Sequence, residues 1–239
     1  MIIEFVGCSG AGKTTLVADV VRKLRDGGRT AASSTALIAD VTRTAWVSSL
    51  FLRNICLDVL LFPWLLLALR HNARFFLFGM SQIIREADSF IGILQRSLSQ
   101  LRNLAGDQLL RHLAQAPDFI LVDEGTICGI HNVLVHLNHR PAEAEIQAYA
   151  RLVPKPELIV HINTPVEIAL SRTESRPDPP LRFHKYADKF HFVRVAHETH
   201  VELSRCDEVR TRWFVVSPGD NTTRDTVEAI LSRESEGTA

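Results

Sequence analysis

Short apolar runs, separated by longer stretches with helical periodicity, dominate the hydrophobic pattern of the chain. Runs at residues 1–6, 119–122, 158–163 and 213–216 predict buried β-strands, because each is apolar and bounded by turn residues or charges. Thr30 to Leu37 predicts one more strand, although alanine and serine form strands poorly. Helical patterns between the runs favour right-handed βαβ crossovers and thus an α/β fold, with a parallel sheet covered by helices on both faces.

A glycine-rich loop directly follows the first strand. It fits the pattern GxxxxGK[ST] without a mismatch, and a helical pattern that begins near Leu16 follows it. Strand, loop and helix therefore occur in the order that defines a phosphate-binding P-loop. The residues predicted to bind a nucleotide are Gly7, Cys8, Ser9, Gly10, Ala11, Gly12, Lys13, Thr14 and Thr15.

The spacing of this loop has a chemical reason. Glycines allow backbone N–H groups to curl around a phosphate, and the helix N-terminus adds partial positive charge. Lys13 is predicted to contact the β- and γ-phosphates and to stabilise charge during catalysis, and the Thr14 hydroxyl to ligate Mg²⁺.

Two carboxylates end the second clear strand. In a P-loop protein, an acid at such a strand end binds Mg²⁺ directly or through water, and we assign that role to Asp123. Glu124 is the candidate base that orients water or a substrate hydroxyl. The alternative is a pair of solvated carboxylates without a catalytic role.

An arginine-containing segment follows the strand that ends near Asn163. Thr164 is a plausible N-cap and Pro165 occupies the favoured first helical position. Arg172 and Arg176 are four residues apart, hence on one helix face, where guanidinium groups suit phosphate oxygens. We predict a lid-like segment at about 172–187, with a solvated helix end as the alternative.

The middle of the chain is unusually apolar. Residues 55–69 carry one charge and one proline in fifteen positions, but a bilayer span needs about 20 apolar residues, so no transmembrane helix is expected. A buried helix pair, broken near Pro63, is predicted within a helical insert at about 45–115. An apolar acceptor pocket, a homodimer face and contact with a membrane surface stay open as alternatives.

Composition narrows the function classes. The 27 basic and 27 acidic residues give a net charge of zero, so there is no electrostatic footprint for nucleic acid. The 239 residues favour a single domain, and four scattered cysteines favour reduced thiols in a cytoplasmic protein. The N-terminus lacks a signal-peptide pattern.

The histidines show no HExxH or mixed Cys/His spacing, so surface or core histidines are expected rather than metal ligands.

The P-loop, the strand-end acid, the stretch TPVEIALSRTESR and the final strand and helix together resemble the thymidylate kinase-like branch of P-loop kinases. The resemblance implies a three-layer sandwich around a five-stranded parallel sheet in the order 2-3-1-4-5. It also implies ATP and Mg²⁺ as cofactors and a nucleoside monophosphate as phosphoryl acceptor. The preference for ATP over GTP rests on this resemblance.

Two positions depart from that family. Ser9 stands where thymidylate kinases usually carry an aspartate, and Glu124 stands where they carry the arginine that grips the acceptor phosphate. Glutamate repels an anionic acceptor but can take a proton from an alcohol. We therefore expect a phosphotransferase that favours a hydroxyl on a small-molecule acceptor. A partner- or membrane-coupled regulatory NTPase is the alternative, in which Glu124 orients water.

Overall fold

A parallel β-sheet forms the centre of the computed structural model, which describes residues 1–44, 46–47, 50–86, 90–135, 140–175 and 189–237. In this part of the chain the sheet has five strands in the order β2-β3-β1-β4-β5. The strands are β1 (Ile2–Val6), β2 (Ala31–Ser33), β3 (Phe119–Val122), β4 (Leu158–Ile162) and β5 (Trp213–Val216). The predicted all-parallel sheet and its order 2-3-1-4-5 are confirmed.

Helices fill the connections between the strands. They are α1 (Lys13–Asp26), α2 (Ser34–Val41), α3 (Leu50–Leu60), α4 (Phe62–Glu86), α5 (Phe90–Arg111), α6 (Ile130–Val133), α7 (Glu143–Leu152), α8 (Val166–Glu174), α9 (Lys189–Ser204), α10 (Asp207–Arg210) and α11 (Thr222–Gly237). Among the described residues, no helix is both long and apolar enough to cross a membrane.

Alternating side chains of the central strands divide the core between the two faces of the sheet. Ile3 and Phe5 of β1 are fully buried on one face, in a cluster that includes residues of α1 and α11. Val6 lies in a second cluster, which includes Tyr149 of α7 and residues around α6. The arrangement is the predicted three-layer sandwich, because helices cover a sheet that is buried on both sides.

The register of the central strands brings the predicted site together. β1 pairs with β3, with Glu4 opposite Val122, and with β4, with Val6 opposite His161. All three strands run in the same direction, so the loop after Val6 and the acid after Val122 leave the same edge of the sheet. Ligands of open α/β sheets bind at this edge.

The structure corrects the prediction of a strand over Thr30 to Leu37. β2 ends at Ser33, whose side chain accepts a hydrogen bond from Ala36 N at 3.3 Å and caps α2. The capping serine therefore starts a helix where the weak apolar pattern predicted more strand.

The apolar middle of the chain is helical, as predicted. α3 ends at Leu60 and α4 begins at Phe62, next to the predicted break at Pro63. The expectation that this pair is buried is wrong in part, because Val59, Phe62 and Leu66 are more than half exposed.

Candidate functional site

The loop after β1 has the backbone that its glycines permit. Gly10 and Gly12 have φ angles of 81° and 96°, in the left-handed region that L-residues rarely adopt. A Cβ on Gly10 would lie 2.0 Å from the carbonyl oxygen of Ala169, so α8 packs directly against the loop. Both the conformation and this close approach require glycine at position 10.

Lys13 lies at the centre of the curved loop. Its Nζ donates hydrogen bonds to the carbonyl oxygens of Gly7 at 2.8 Å and Cys8 at 3.2 Å. The ammonium group therefore stays beside the backbone N–H groups that the motif offers to phosphates. Burial raises the pKa of the Cys8 thiol, which belongs to the apolar core.

A cavity of about 250 Å³ lies against this loop. The predicted loop residues in its wall are Cys8, Ser9, Gly10, Ala11, Gly12, Lys13 and Thr14. Gly7 does not line the cavity; a Cβ at that position would lie 3.0 Å from the Ala11 Cβ, behind the loop. Thr15 is exposed and does not line the cavity either.

Thr14 and Asp123 meet at the edge of the sheet. The Thr14 hydroxyl donates to Asp123 Oδ2 at 3.4 Å. Neighbouring oxygen ligands of an octahedral Mg²⁺ are roughly 2.9 Å apart, so these two oxygens fit one shared ion after a small adjustment. The donor set, a hydroxyl and a carboxylate, is the type that Mg²⁺ prefers.

Glu124 stands between two cavities. It lines the cavity of the loop and also a second cavity of about 310 Å³ on the other side. Its side chain is exposed, and Asp123 beside it is half-buried. A carboxylate at this junction can contact groups in both spaces.

Helix α8 brings Arg172 to the loop. A Cβ on Gly12 would lie 3.6 Å from Arg172 Nη1, and the Thr173 hydroxyl lies 3.5 Å from Ser9 Oγ. Arg172 is exposed, at the open side of the loop, and is not among the residues that line the loop cavity. Arg176 and most of the predicted lid at 172–187 lie outside the described residues.

Thr164 is not the N-cap that the sequence predicted. Pro165 occupies the cap position, and α8 begins at Val166. The Thr164 hydroxyl donates instead to the carbonyl of Ala11 at 3.0 Å, in a fully buried position. This hydrogen bond connects the segment after β4 to the phosphate loop. No sequence pattern around Thr164 indicates this contact.

The second cavity is predominantly acidic. Its charged lining consists, within the described residues, of the carboxyl groups of Glu4, Asp107, Asp123 and Glu124 and the guanidinium of Arg102. Arg102 is already paired: its Nε and Nη2 donate to the two carboxylate oxygens of Asp58, at 2.8 and 3.0 Å. The cavity therefore has no uncommitted cation among these residues.

Glu4 is a site residue that sequence reasoning missed. It is 3% exposed in β1, and its carboxylate accepts a hydrogen bond from Cys128 N at 2.6 Å. Burial raises its pKa to about 8 against the lowering effect of that hydrogen bond. A Cβ on Gly125 would lie 2.5 Å from the Glu4 carboxyl carbon, so glycine makes room for it. The sequence did contain one signal for Glu4: it is the only charged residue in an apolar run that predicts a buried strand.

Comparison with known proteins places the fold. No protein-family model and no curated protein matches the chain. A solved structure of deoxyadenosine kinase from M. mycoides, with products dCMP and a flexible dCDP bound, is similar over 99% of this chain and 100% of that chain, with a TM-score of 0.51 and 13% identity. A second structure of deoxyadenosine kinase from M. mycoides, with bound dCTP, has a TM-score of 0.45 at 13% identity. The first likeness shows that the chain shares the α/β fold of that structure.

Proposed function

We propose that the protein is an ATP- and Mg²⁺-dependent phosphotransferase. It transfers the γ-phosphoryl group to a hydroxyl of a small acceptor that binds in the 310 Å³ cavity. The observation that carries this proposal is the position of Glu124, which borders both the phosphate-loop cavity and the second cavity. The phosphates of ATP and the hydroxyl of the acceptor then meet at the carboxylate of Glu124.

The phosphate side of the reaction uses the loop and its neighbours. Backbone N–H groups of the loop and the Lys13 ammonium bind the β- and γ-phosphates, and Arg172 adds charge from the open side. Thr14 and Asp123 hold Mg²⁺, which neutralises charge on the phosphates when bound. We also propose that residues 172–187 act as a lid on this side of a single domain, and that 45–115 form an acceptor insert.

Glu124 acts on the acceptor. Its carboxylate accepts the proton of the attacking hydroxyl and aligns the oxygen toward the phosphate cavity. The exposed position leaves Glu124 in reach of a ligand in either cavity. In the alternative role it orients water, and ATP is hydrolysed.

The charges of the acceptor cavity favour an uncharged acceptor. The Asp123 and Glu124 carboxylates in its lining repel a phosphate, and Arg102 is held by Asp58. Asp107 is paired with Arg111, and burial raises the pKa of Glu4 to about 8, so these two groups add little repulsion at neutral pH. A nucleoside monophosphate would need an uncommitted cation for its phosphate. A hydroxyl compound needs only hydrogen-bond partners, which Ser34 and Asn103 offer in the same wall.

A nucleoside is the acceptor class to test first. The fold is shared with a structure named as deoxyadenosine kinase, and the cavity volume is at the small end for a small-molecule site, about 300–1,000 Å³. The finer resemblance to thymidylate kinases rests on the loop, the strand-end acid and the 164–176 stretch, whereas the acidic acceptor cavity favours a neutral substrate.

The test is ADP formation from ATP and Mg²⁺ across a panel of nucleosides, nucleoside monophosphates, sugars and polyprenols. We expect one class of uncharged hydroxyl compounds to stimulate ADP formation strongly. Equal or greater stimulation by the matching monophosphate would contradict the acceptor assignment. The absence of stimulation by any class, with intact ATP binding, would contradict the kinase.

A specific observation favours the second candidate, a partner- or membrane-coupled regulatory NTPase in the cytoplasm. Large apolar side chains are exposed on the middle helices, at Ile55, Val59, Leu60, Phe62, Leu66, Leu77, Ile84, Phe90, Ile91 and Leu94. Exposed apolar area on this scale is typical of an interaction surface. Slow hydrolysis that needs no acceptor, and that lipid vesicles or self-association accelerate, would favour this candidate over the kinase.

A further inference from the structure

Three potential metal ligands lie together behind the phosphate-loop cavity. Cys128 follows β3 in the turn that leads to α6, His131 lies in α6, and His200 lies in α9. One ligand atom of each lies within 4.8 Å of the other two. Cys128 and His131 are only three residues apart, a mixed Cys/His spacing that the sequence analysis overlooked, whereas His200 lies 69 residues after His131 and only the fold brings it to the other two.

The buried imidazole of His200 points to a ligand. His200 is 0% exposed, and its Nδ1 lies 2.7 Å from the carbonyl oxygen of Ala196. A carbonyl can only accept, so Nδ1 carries the proton and Nε2 presents a lone pair. Nε2 is buried and has no hydrogen-bond partner among the described residues. Leaving a buried acceptor unsatisfied costs stability, unless a bound group satisfies it.

We propose that Cys128, His131 and His200 bind one borderline-soft divalent cation, with Zn²⁺ as the reference ion. Thiolate and imidazole ligands suit Zn²⁺ and disfavour Mg²⁺, which the oxygen donors of Thr14 and Asp123 suit. The backbone carbonyl on Nδ1 of His200 is the kind of partner that orients a metal-bound imidazole. Three protein ligands leave a fourth position for water or another small ligand.

The protonation states define what binding must change. The hydrogen bond of His200 Nδ1 to the Ala196 carbonyl leaves Nε2 as the atom that can coordinate. Cysteine binds a metal as the thiolate, so the cation must displace the Cys128 thiol proton to solvent as the metal–sulfur bond forms. Tetrahedral Zn²⁺ holds its ligand atoms roughly 3.5 Å apart, so atoms that now lie within 4.8 Å of one another must approach by up to about 1.3 Å.

An ion at this site would connect three segments of the phosphate-loop region. His131 lines the loop cavity, and α9 contributes Phe192 and Ala196 to the same wall. The ion joins α9 to α6 and to the turn after β3. Because the native chain assembles these ligands and the unfolded chain does not, binding raises the melting temperature.

The test uses the full-length, tag-free protein after chelator treatment and without nucleotide, so that its result is independent of the proposed kinase activity. Zn²⁺ stoichiometry is measured by mass spectrometry of the metal content, and Co²⁺ serves as a spectroscopic probe of the ligands. We expect one Zn²⁺ per chain, a thiolate-to-cobalt charge-transfer band and a higher melting temperature with Zn²⁺.

Two variants and two matched controls locate the site. Cys128→Ser should abolish the charge-transfer band, and His131→Ala, at a half-buried position, should weaken Zn²⁺ binding at least about tenfold. Cys206→Ser and His71→Ala change a half-buried cysteine and an exposed histidine outside the cluster, and should leave binding unchanged.

Two results would overturn the proposal. One is wild-type protein that binds no stoichiometric Zn²⁺ or gives no thiolate band with Co²⁺, which identifies Cys128, His131 and His200 as core residues. The other is Zn²⁺ binding that survives both variants. If circular dichroism shows that Cys128→Ser does not fold, the cobalt spectrum of the wild type and Zn²⁺ binding by His131→Ala still test the proposal.

Discussion

The Thr14 hydroxyl lies 3.4 Å from Asp123 Oδ2, although 109 residues separate the two along the chain. The contact exists because β1 and β3 are parallel neighbours and release their following loops at the same edge of the sheet. This pair of oxygens fits Mg²⁺, and Glu124, the next residue, reaches the acceptor cavity. The phosphate and acceptor sides of the proposed reaction thus join at residues 123 and 124.

Glu124→Gln tests the proposed base. The amide keeps the size of the side chain but cannot take a proton, so kcat should fall by about 10²–10⁴ while ATP affinity stays unchanged. Steady-state kinetics and equilibrium ATP binding check both parts. Glu228→Gln, at an exposed position of α11, is the matched control with unchanged kinetics. Unchanged turnover in Glu124→Gln would remove Glu124 from the mechanism.

Gly10→Ala tests the packing of α8 on the phosphate loop. The new Cβ would lie 2.0 Å from the Ala169 carbonyl, at a left-handed backbone position. Such a conformation costs a non-glycine residue about 1–3 kcal/mol, so ATP affinity should fall by about fivefold to a hundredfold. Gly219→Ala is the control, because its Cβ meets no atom within 4 Å and it should bind ATP normally. Wild-type affinity in Gly10→Ala would show that this contact does not shape the loop.

Glu4→Gln tests the buried carboxyl group beside the acceptor cavity. The folded-state pKa of Glu4 is raised from 4.5 to about 8, so the folded chain favours the protonated form. Below pH 4.5 the ionisation of Glu4 does not lower the free energy of unfolding, because Glu4 is protonated in both the folded and the unfolded chain. The loss of folding stability that Glu4 causes grows as the pH rises from 4.5 to about 8 and is complete above about pH 8.

The free energy of unfolding, measured by urea denaturation from pH 5 to 9, checks this sign. The wild-type value should fall with rising pH by an amount on the order of a few kcal/mol relative to Glu4→Gln, which lacks this titration. Glu228→Gln should follow the wild type, since its carboxylate is exposed. Parallel curves for wild type and Glu4→Gln would show that the Glu4 pKa is not raised.

Asp58→Asn tests whether the pairing of Arg102 makes the proposed acceptor cavity disfavour phosphates. The substitution weakens the two-point pairing of Arg102 and leaves its guanidinium available to a ligand. We expect the kcat/KM ratio of nucleoside over nucleoside monophosphate to fall about tenfold, on the basis of charge–charge energies near a protein surface. Asp207→Asn removes the exposed contact with Arg210 and should leave the ratio unchanged. An unchanged ratio in Asp58→Asn would show that Arg102 does not set acceptor charge.

The sequence was most informative where chemistry fixes both residue type and spacing. The loop from Gly7 to Thr15 and the acid at Asp123 depend on local patterns, and the strand-helix alternation indicates a parallel sheet. The strand order was an implication of the family resemblance and not of the alternation. Side chains that act across the fold gave no such signal: Thr164, two residues after β4, contacts Ala11, and Glu4 of β1 contacts the turn at Cys128. Their roles arise from tertiary packing, which a single sequence does not display.

The boundary of β2 shows how a local cap overrides a pattern. The apolar residues after Ser33 fit either a strand or a helix face, and the Ser33 side chain decides for the helix by accepting from Ala36 N. The sequence did not predict that Val59 and Phe62 are exposed. An apolar run predicts burial, but it does not show whether the same chain or another surface covers it.

The central claim is transfer of a phosphoryl group from the loop cavity to a hydroxyl in the second cavity. The most direct measurement incubates the protein with ATP, Mg²⁺ and one stimulating nucleoside, and identifies the products by mass spectrometry. We predict ADP and a phosphorylated nucleoside in equal amounts, with no product formed by Glu124→Gln in the same time. ADP accompanied by inorganic phosphate, with the nucleoside unchanged, would contradict the account.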